Sequence, residues 1–122
     1  MATSRYVRQK PLTLAQQGYL LKTSFPDFRV AIGRCEMRCT GELRPTWLSD
    51  NYTFELVYRI PHRPKVYVIS PSLRLPSGQS RLKHVFKDNA LCLYTEGDWR
   101  ADLPISNHMV GWISEWLSFY ED

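Results

Sequence analysis

The segment Asn51–Ile60, NYTFELVYRI, decides the fold class. Apolar residues stand at every second position, Tyr52, Phe54, Leu56, Tyr58 and Ile60, and they alternate with Thr53, Glu55 and Arg59. Successive side chains of a strand point to opposite faces, so this pattern predicts a strand with one buried face and one solvated face. Half-buried strands of this kind are typical of antiparallel sheets.

The alternation continues on both sides of this segment. Residues 28–32 and 35–39 alternate as well, and the phase changes after Gly33, which indicates a turn or a bulge. The second run predicts that Cys35 and Cys39 are buried, unreactive strand thiols. After a proline-bounded turn, residues 66–69 predict a shorter and more buried strand. Together the runs predict four strands in antiparallel succession.

Helices are predicted at both ends of the strands. Thr13 followed by Gln16 has the form of a capping box, and Pro26 ends the segment that it opens. Near the other end, Pro104 suits a first helical turn. The residues that follow it place apolar side chains at steps of three or four: Ile105, Met109, Val110, Ile113, Trp116, Leu117 and Tyr120. This stripe predicts a helix whose tryptophans, Trp116 included, are mainly structural.

The elements add up to an α+β domain: an N-terminal helix, a four-stranded antiparallel meander, an irregular stretch at 71–104 and a C-terminal helix. We expect residues 1–11 to be flexible and residues 12–122 to form the domain. The length of 122 residues and the 43% of hydrophobic residues fit one core. We find no apolar stretch of membrane-span length and no secretory signal, so a soluble, cytoplasmic protein is expected.

Cysteine content and charge limit the possible functions. Three cysteines are an odd number, and no histidine or second cysteine pair stands at zinc-finger spacing, so neither a disulfide framework nor a metal or cofactor is predicted. Residues 1–91 carry 15 basic and 6 acidic side chains, whereas residues 92–122 carry 1 and 6. A basic face can attract nucleic acid or an acidic partner. An ordinary solvated surface explains the excess better, so nucleic-acid binding is not favoured.

The irregular stretch contains HVFKDNALCLY, residues 84–94. Asp88-Asn89 indicates a tight turn, and Cys92 follows it. Cationic or titratable side chains precede the cysteine and predict a lowered thiol pKa: Arg81, Lys83, His84 and Lys87. A cysteine between two leucines is nevertheless more typical of a core, so the residues alone leave a nucleophile and a buried thiol both open.

Five motifs give the chain a resemblance to a known family. They are TGELRPT at 40–46, YVISPSL at 67–73, HVF at 84–86, LCLY at 91–94 and GWISEWLSFYED at 111–122. Over about residues 12–122 the chain resembles the ubiquitin-conjugating fold. It is most similar to the bacterial conjugating-enzyme-like proteins of cyclic-oligonucleotide-based anti-phage signalling systems.

The resemblance implies that Cys92 forms a thioester with the C-terminus of a protein. His84 occupies the histidine position of the His-Pro-Asn motif found in eukaryotic members, but Val85-Phe86 replaces Pro-Asn. Asn89 is the candidate for the missing amide that would stabilise the oxyanion. The residues do not show whether its side chain points toward the thiol.

The chain is similar to the standalone short form of that family, because it has no activating domain and no glycine-rich nucleotide loop. The implied partner is a cGAS-like nucleotidyltransferase, attached through its C-terminus. Activation by a separate enzyme and a route that bypasses ATP both stay open. Two other classes also stay open: an inactive interaction module on the same fold, and a nucleic-acid binder that uses the basic portion.

Overall fold

The structure is a computed structural model that describes residues 10–75, 77–78, 83–95 and 97–121. Its elements are, in chain order, α1 (Leu14–Ser24), β1 (Arg29–Ile32), β2 (Glu36–Leu43), β3 (Tyr52–Arg59), β4 (Lys65–Ser70) and α2 (Ile105–Glu121). The strands pair antiparallel in the order β1-β2-β3-β4. The predicted α+β architecture, with a four-stranded meander between two helices, is confirmed.

Strand β3 carries the centre of the core. Tyr52, Phe54, Leu56 and Tyr58 are buried, while the residues between them are partly exposed. Both helices contribute apolar side chains to the same core cluster. The alternation in the sequence therefore separates a helix-covered face of the sheet from an open face.

The open face carries a network of ion pairs between β2 and β3. Arg38 bridges Glu36 and Glu55, and Arg59 also pairs with Glu36. These side chains are substantially exposed, so the network contributes little to stability.

A buried glutamine ties the two helices together. The capping box at Thr13 is present as predicted and fixes the start of α1. One turn on, the side chain of Gln17 accepts from the backbone N–H of Ile105 at 2.8 Å and donates to the carbonyl of Leu103 at 2.9 Å. Gln17 thus satisfies the first backbone amide of α2, which would otherwise lack a partner. The contact fixes where α2 begins.

Two predictions about burial were wrong. Cys35 is exposed because β2 begins one residue later, at Glu36, and the Gly33 N–H donates to the Glu36 carbonyl at 2.7 Å to close a tight turn. Cys39 is fully buried, as predicted. Strand β4 is less buried than predicted, because it lies at the edge of the sheet; Ile69 is 54% exposed.

The prediction of a flexible segment at 1–11 stays a prediction, since residues 1–9 lie outside the described part. Across the described ranges, neither helix has the length and apolar character needed to cross a bilayer.

Candidate functional site

Residues 84–92 form a short β-hairpin, which we term the Cys92 hairpin. Val85 and Leu91 form a bridge, and the Phe86 N–H donates to the Ala90 carbonyl at 2.8 Å. At the open end, the Cys92 N–H donates to the His84 carbonyl at 2.8 Å. The backbones of His84 and Cys92 are therefore held face to face.

The sheet holds one side of the Cys92 hairpin. The Leu91 N–H donates to the Val66 carbonyl of β4 at 2.8 Å, and the Leu91 side chain is buried in the core. At the closed end, the Asp88 carboxylate accepts from Lys65 Nζ at 2.9 Å and from the Ala90 N–H at 3.1 Å. The hydrogen bond from Lys65 is the main reason that the pKa of Asp88 lies below its usual value.

Helix α2 holds the other side. The indole N–H of Trp116 donates to the His84 carbonyl at 3.0 Å, so this oxygen accepts from both Trp116 and Cys92. The imidazole of His84 is exposed and contacts the ring of Phe119 edge-on, with centroids 6.3 Å apart. His84 has a φ of 61°, an uncommon conformation for a residue with a β-carbon. Two donors on its carbonyl help to stabilise that conformation.

The thiol of Cys92 is partly exposed, and burial raises its pKa. The prediction that nearby cations lower this pKa was therefore wrong in direction. Lys83 and Lys87 point into solvent, where water screens their charge, and Arg81 lies outside the described residues. At neutral pH the side chain is consequently held mainly as the neutral thiol.

Asn89 lies at the closed end of the Cys92 hairpin, away from the open end where Cys92 lies. Its φ is 72°, its backbone N–H donates to the Phe86 carbonyl at 3.0 Å, and the residue is exposed. The structure thus brings two of the three predicted site residues together, His84 and Cys92, through their backbones. It gives Asn89 the geometry of a turn residue.

The chain matches a known protein family over most of its length. The family described as Type II CBASS E2 protein matches residues 17–122, which is most of the chain. The chain belongs to this family. No curated protein matches it. The family has a role in CBASS anti-phage systems.

Sequence reasoning missed the groups that hold the site of this CBASS E2 protein. Trp116 was predicted to be mainly structural; it is partly buried and packs against the core, but the prediction did not include the hydrogen bond from its N–H to the hairpin. Lys65 and Asp88 were not predicted to pair. One sequence signal could have indicated a structural role for Asp88. An aspartate in a turn often accepts a hydrogen bond from the backbone N–H two residues later, as Asp88 does from Ala90.

A groove of about 440 Å³ runs beside the Cys92 hairpin. Its apolar lining includes Leu91 and Leu93, and the charged residues along it include Lys87. Cys92 itself does not line this groove. Within the described ranges, no three metal-binding side chains cluster anywhere.

Proposed function

We propose that Cys92 forms a thioester with the C-terminal acyl group of a partner protein, a cGAS-like nucleotidyltransferase of the same defence system. The observation that supports this proposal is the placement of the thiol. Cys92 is partly exposed and its backbone is fixed between β4 and α2 by the contacts of the hairpin. Cys39 is fully buried, and Cys35 lies in a turn before β2.

In the proposed reaction, the Cys92 thiol gives up its proton and the sulfur attacks the carbonyl carbon of the partner's last residue. A free carboxylate is a poor electrophile, so the acyl group arrives as an acyl-adenylate. The carbon–sulfur bond forms, the carbon–oxygen bond to the phosphate breaks, and AMP leaves with the electron pair. A separate ATP-dependent activating enzyme supplies the acyl-adenylate.

His84 and Asn89 have distinct proposed roles. His84 faces Cys92 across the hairpin, and its exposed imidazole relays the proton of the thiol to solvent. Asn89 lies at the closed end of the hairpin, but its side-chain amide makes no hydrogen bond with any described residue; in this proposal the turn rearranges when the partner binds and brings the amide to the oxyanion.

The test of the proposed function is the intact mass of the protein co-expressed with the nucleotidyltransferase of its system and an activating enzyme. We expect a species whose mass equals the sum of the two proteins minus water, and hydroxylamine should cleave it, because hydroxylamine attacks thioesters. Removing the partner's last residue should abolish the species. A species that resists hydroxylamine, or no species at all, would contradict the thioester.

Asn89 allows a sharper test, because glycine keeps the positive φ and removes the amide. We expect Asn89→Gly to slow adduct formation by about tenfold or more, in line with the loss of one oxyanion donor. Melting temperatures should stay near the parent value. Asn89→Ala removes the amide as well but strains the turn, so it should show the same slower reaction together with a loss of stability of about 1 kcal/mol. If Asn89→Gly reacts at the parent rate, Asn89 is only a turn residue.

The raised pKa of Cys92 favours a second candidate, an inactive module of the same fold that binds the nucleotidyltransferase without a covalent bond. This alternative predicts that partner binding and phage protection survive Cys92→Ala.

A further inference from the structure

The turn between β2 and β3 exposes two large apolar side chains. Trp47 is 82% exposed and Leu48 is 76% exposed, the highest values among the large hydrophobic residues of the described ranges. Central turn positions ordinarily carry small or polar residues. An exposed tryptophan next to an exposed leucine is therefore unexplained by the needs of the turn.

Hydrogen bonds hold the backbone of this turn in place. The Ser49 N–H donates to the Thr46 carbonyl at 3.0 Å, and the hydroxyls of these two residues lie 2.8 Å apart. The Ser49 hydroxyl also donates to one carboxylate oxygen of Glu121 at 2.6 Å, and the Tyr52 hydroxyl donates to the other at 2.6 Å. None of these bonds uses the side chain of Trp47 or Leu48. We term residues 46–49 the Trp47 turn.

The Trp47 turn and the Cys92 hairpin attach to the same end of α2. The turn is tethered to Glu121 and the hairpin to Trp116, five residues earlier. Five residues of α-helix rise about 7.5 Å. Phe119, which contacts His84, lies between these attachment points along the helix and is 72% exposed. Five residues also turn the helix by about 140° beyond one full turn, so a protein seated on the Trp47 turn would have to reach around α2 to the segment that carries Cys92, a span that a folded protein can cover.

The charges around the turn indicate which partner fits. Glu42, Asp50 and Glu121 are the acidic residues in or beside the contacts of the turn, and Arg44 is the basic one. This excess of negative charge opposes contact with an anionic membrane. It favours a protein surface with an apolar pocket and a basic rim.

We propose that the Trp47 turn anchors the folded body of the protein whose C-terminus reaches Cys92. This inference rests on the proposed function and names a second contact for the same partner. A C-terminal tail alone offers few contacts, and a second anchor raises the effective concentration of the tail at the thiol. Exposed tryptophans that enter a partner's pocket are frequent centres of binding energy.

The test measures binding without chemistry, in full-length protein that carries Cys92→Ala. The probe is the full-length nucleotidyltransferase, titrated by isothermal calorimetry. We expect Trp47→Ala to raise the Kd by about 30-fold, the effect of losing a typical interface anchor. Trp47→Phe, which keeps a ring, should recover part of that loss. The matched control is Tyr19→Ala on α1, which removes a ring that is 70% exposed and should leave the Kd unchanged.

A second measurement separates docking from chemistry, in protein with an intact Cys92. Trp47→Ala should form the adduct more slowly than the parent when the partner's concentration is limiting, and at nearly the parent rate when the partner is saturating. The melting temperature of the variant should match that of the parent. An unchanged Kd would overturn the inference. The parent could instead bind phosphatidylserine vesicles, and Trp47→Ala could lose that binding while its Kd for the nucleotidyltransferase stays unchanged. This result would assign the turn to a membrane and would also overturn the inference.

Failure of the thioester proposal would look different. In that case the parent would form no hydroxylamine-sensitive species, yet Trp47-dependent binding would persist and the docking surface would stand. A parent protein that does not bind the nucleotidyltransferase at all would overturn both proposals.

Discussion

Cys92→Ala is expected to abolish the covalent species entirely. No other group in the Cys92 hairpin carries sulfur, and the hairpin contacts that hold residue 92 use its backbone rather than its side chain. The variant should therefore fold like the parent and bind the partner. The measurement is intact mass of the co-expressed proteins, together with phage protection. Retention of both the adduct and full protection would remove Cys92 from the mechanism and leave the binding-module alternative.

Cys92→Ser is expected to convert the thioester into an ester that resists hydroxylamine better. The alkoxide of serine is a poorer leaving group than a thiolate, so an oxyester is cleaved more slowly. The substitution also lowers nucleophilicity, so the adduct should accumulate slowly. Serine therefore tests the chemistry of residue 92, whereas alanine tests only whether it is required.

The other two cysteines provide the controls. Burial raises the pKa of Cys39 to about 11, so this thiol is almost entirely protonated at neutral pH and closed to a protein partner. Cys35 is exposed, which makes it the more demanding control. Cys35→Ser and Cys39→Ser should both keep the adduct. Loss of the adduct in Cys35→Ser, with retention in Cys92→Ala, would show that the wrong nucleophile had been chosen.

The sheet could be predicted because burial on one face forces a period of two. In β3 the alternate residues Tyr52, Phe54, Leu56 and Tyr58 are buried, and a shift by one position would expose all of them. Helix α1 could be predicted because its capping box is local in sequence. These signals need no knowledge of distant contacts.

Predictions that depended on the course of a turn or on the direction of a side chain were weaker. The burial of Cys35 depended on where β2 begins, and the tight turn at Gly33 decides that point. The pKa of Cys92 depended on the directions of side chains close in sequence. Lys87 is near Cys92 along the chain, but it lies toward the closed end of the hairpin and in solvent.

The candidate site also has a part that the sequence predicts and a part that it does not. Cys92 could be selected from its motif, whereas the groups that hold it come from three separate parts of the chain. Val66 is in β4, Asp88 in the hairpin turn, and Trp116 in α2. Hydrogen bonds between such segments leave no periodic signal in a single sequence. The apolar stripe of α2 predicted that Trp116 is structural, and Trp116 does pack against the core, but the stripe gave no sign of its hydrogen bond to the His84 carbonyl.

Trp116→Phe is expected to separate positioning from packing. Phenylalanine keeps a ring beside Tyr120, which stacks on the indole with centroids 5.7 Å apart, but it cannot donate to the His84 carbonyl. The loss of one such hydrogen bond is worth about 1 kcal/mol, so adduct formation should slow by about fivefold. Trp116→Ala also removes the stacking. Its stability loss should be roughly 2–3 kcal/mol, below the value for a fully buried aromatic residue because Trp116 is partly exposed.

Two rates measured on Trp116→Phe distinguish positioning from a general loss of stability. Freeing the open end of the hairpin should expose Cys92, so iodoacetamide should modify it faster than in the parent, in a Cys35→Ser background. The same freedom should make transfer from the partner slower, because the thiol is no longer held in place. The matched control is Trp112→Phe on the same helix, where the ring contacts Tyr94 rather than His84. If both rates of Trp116→Phe match those of the control, the indole N–H does not position the thiol.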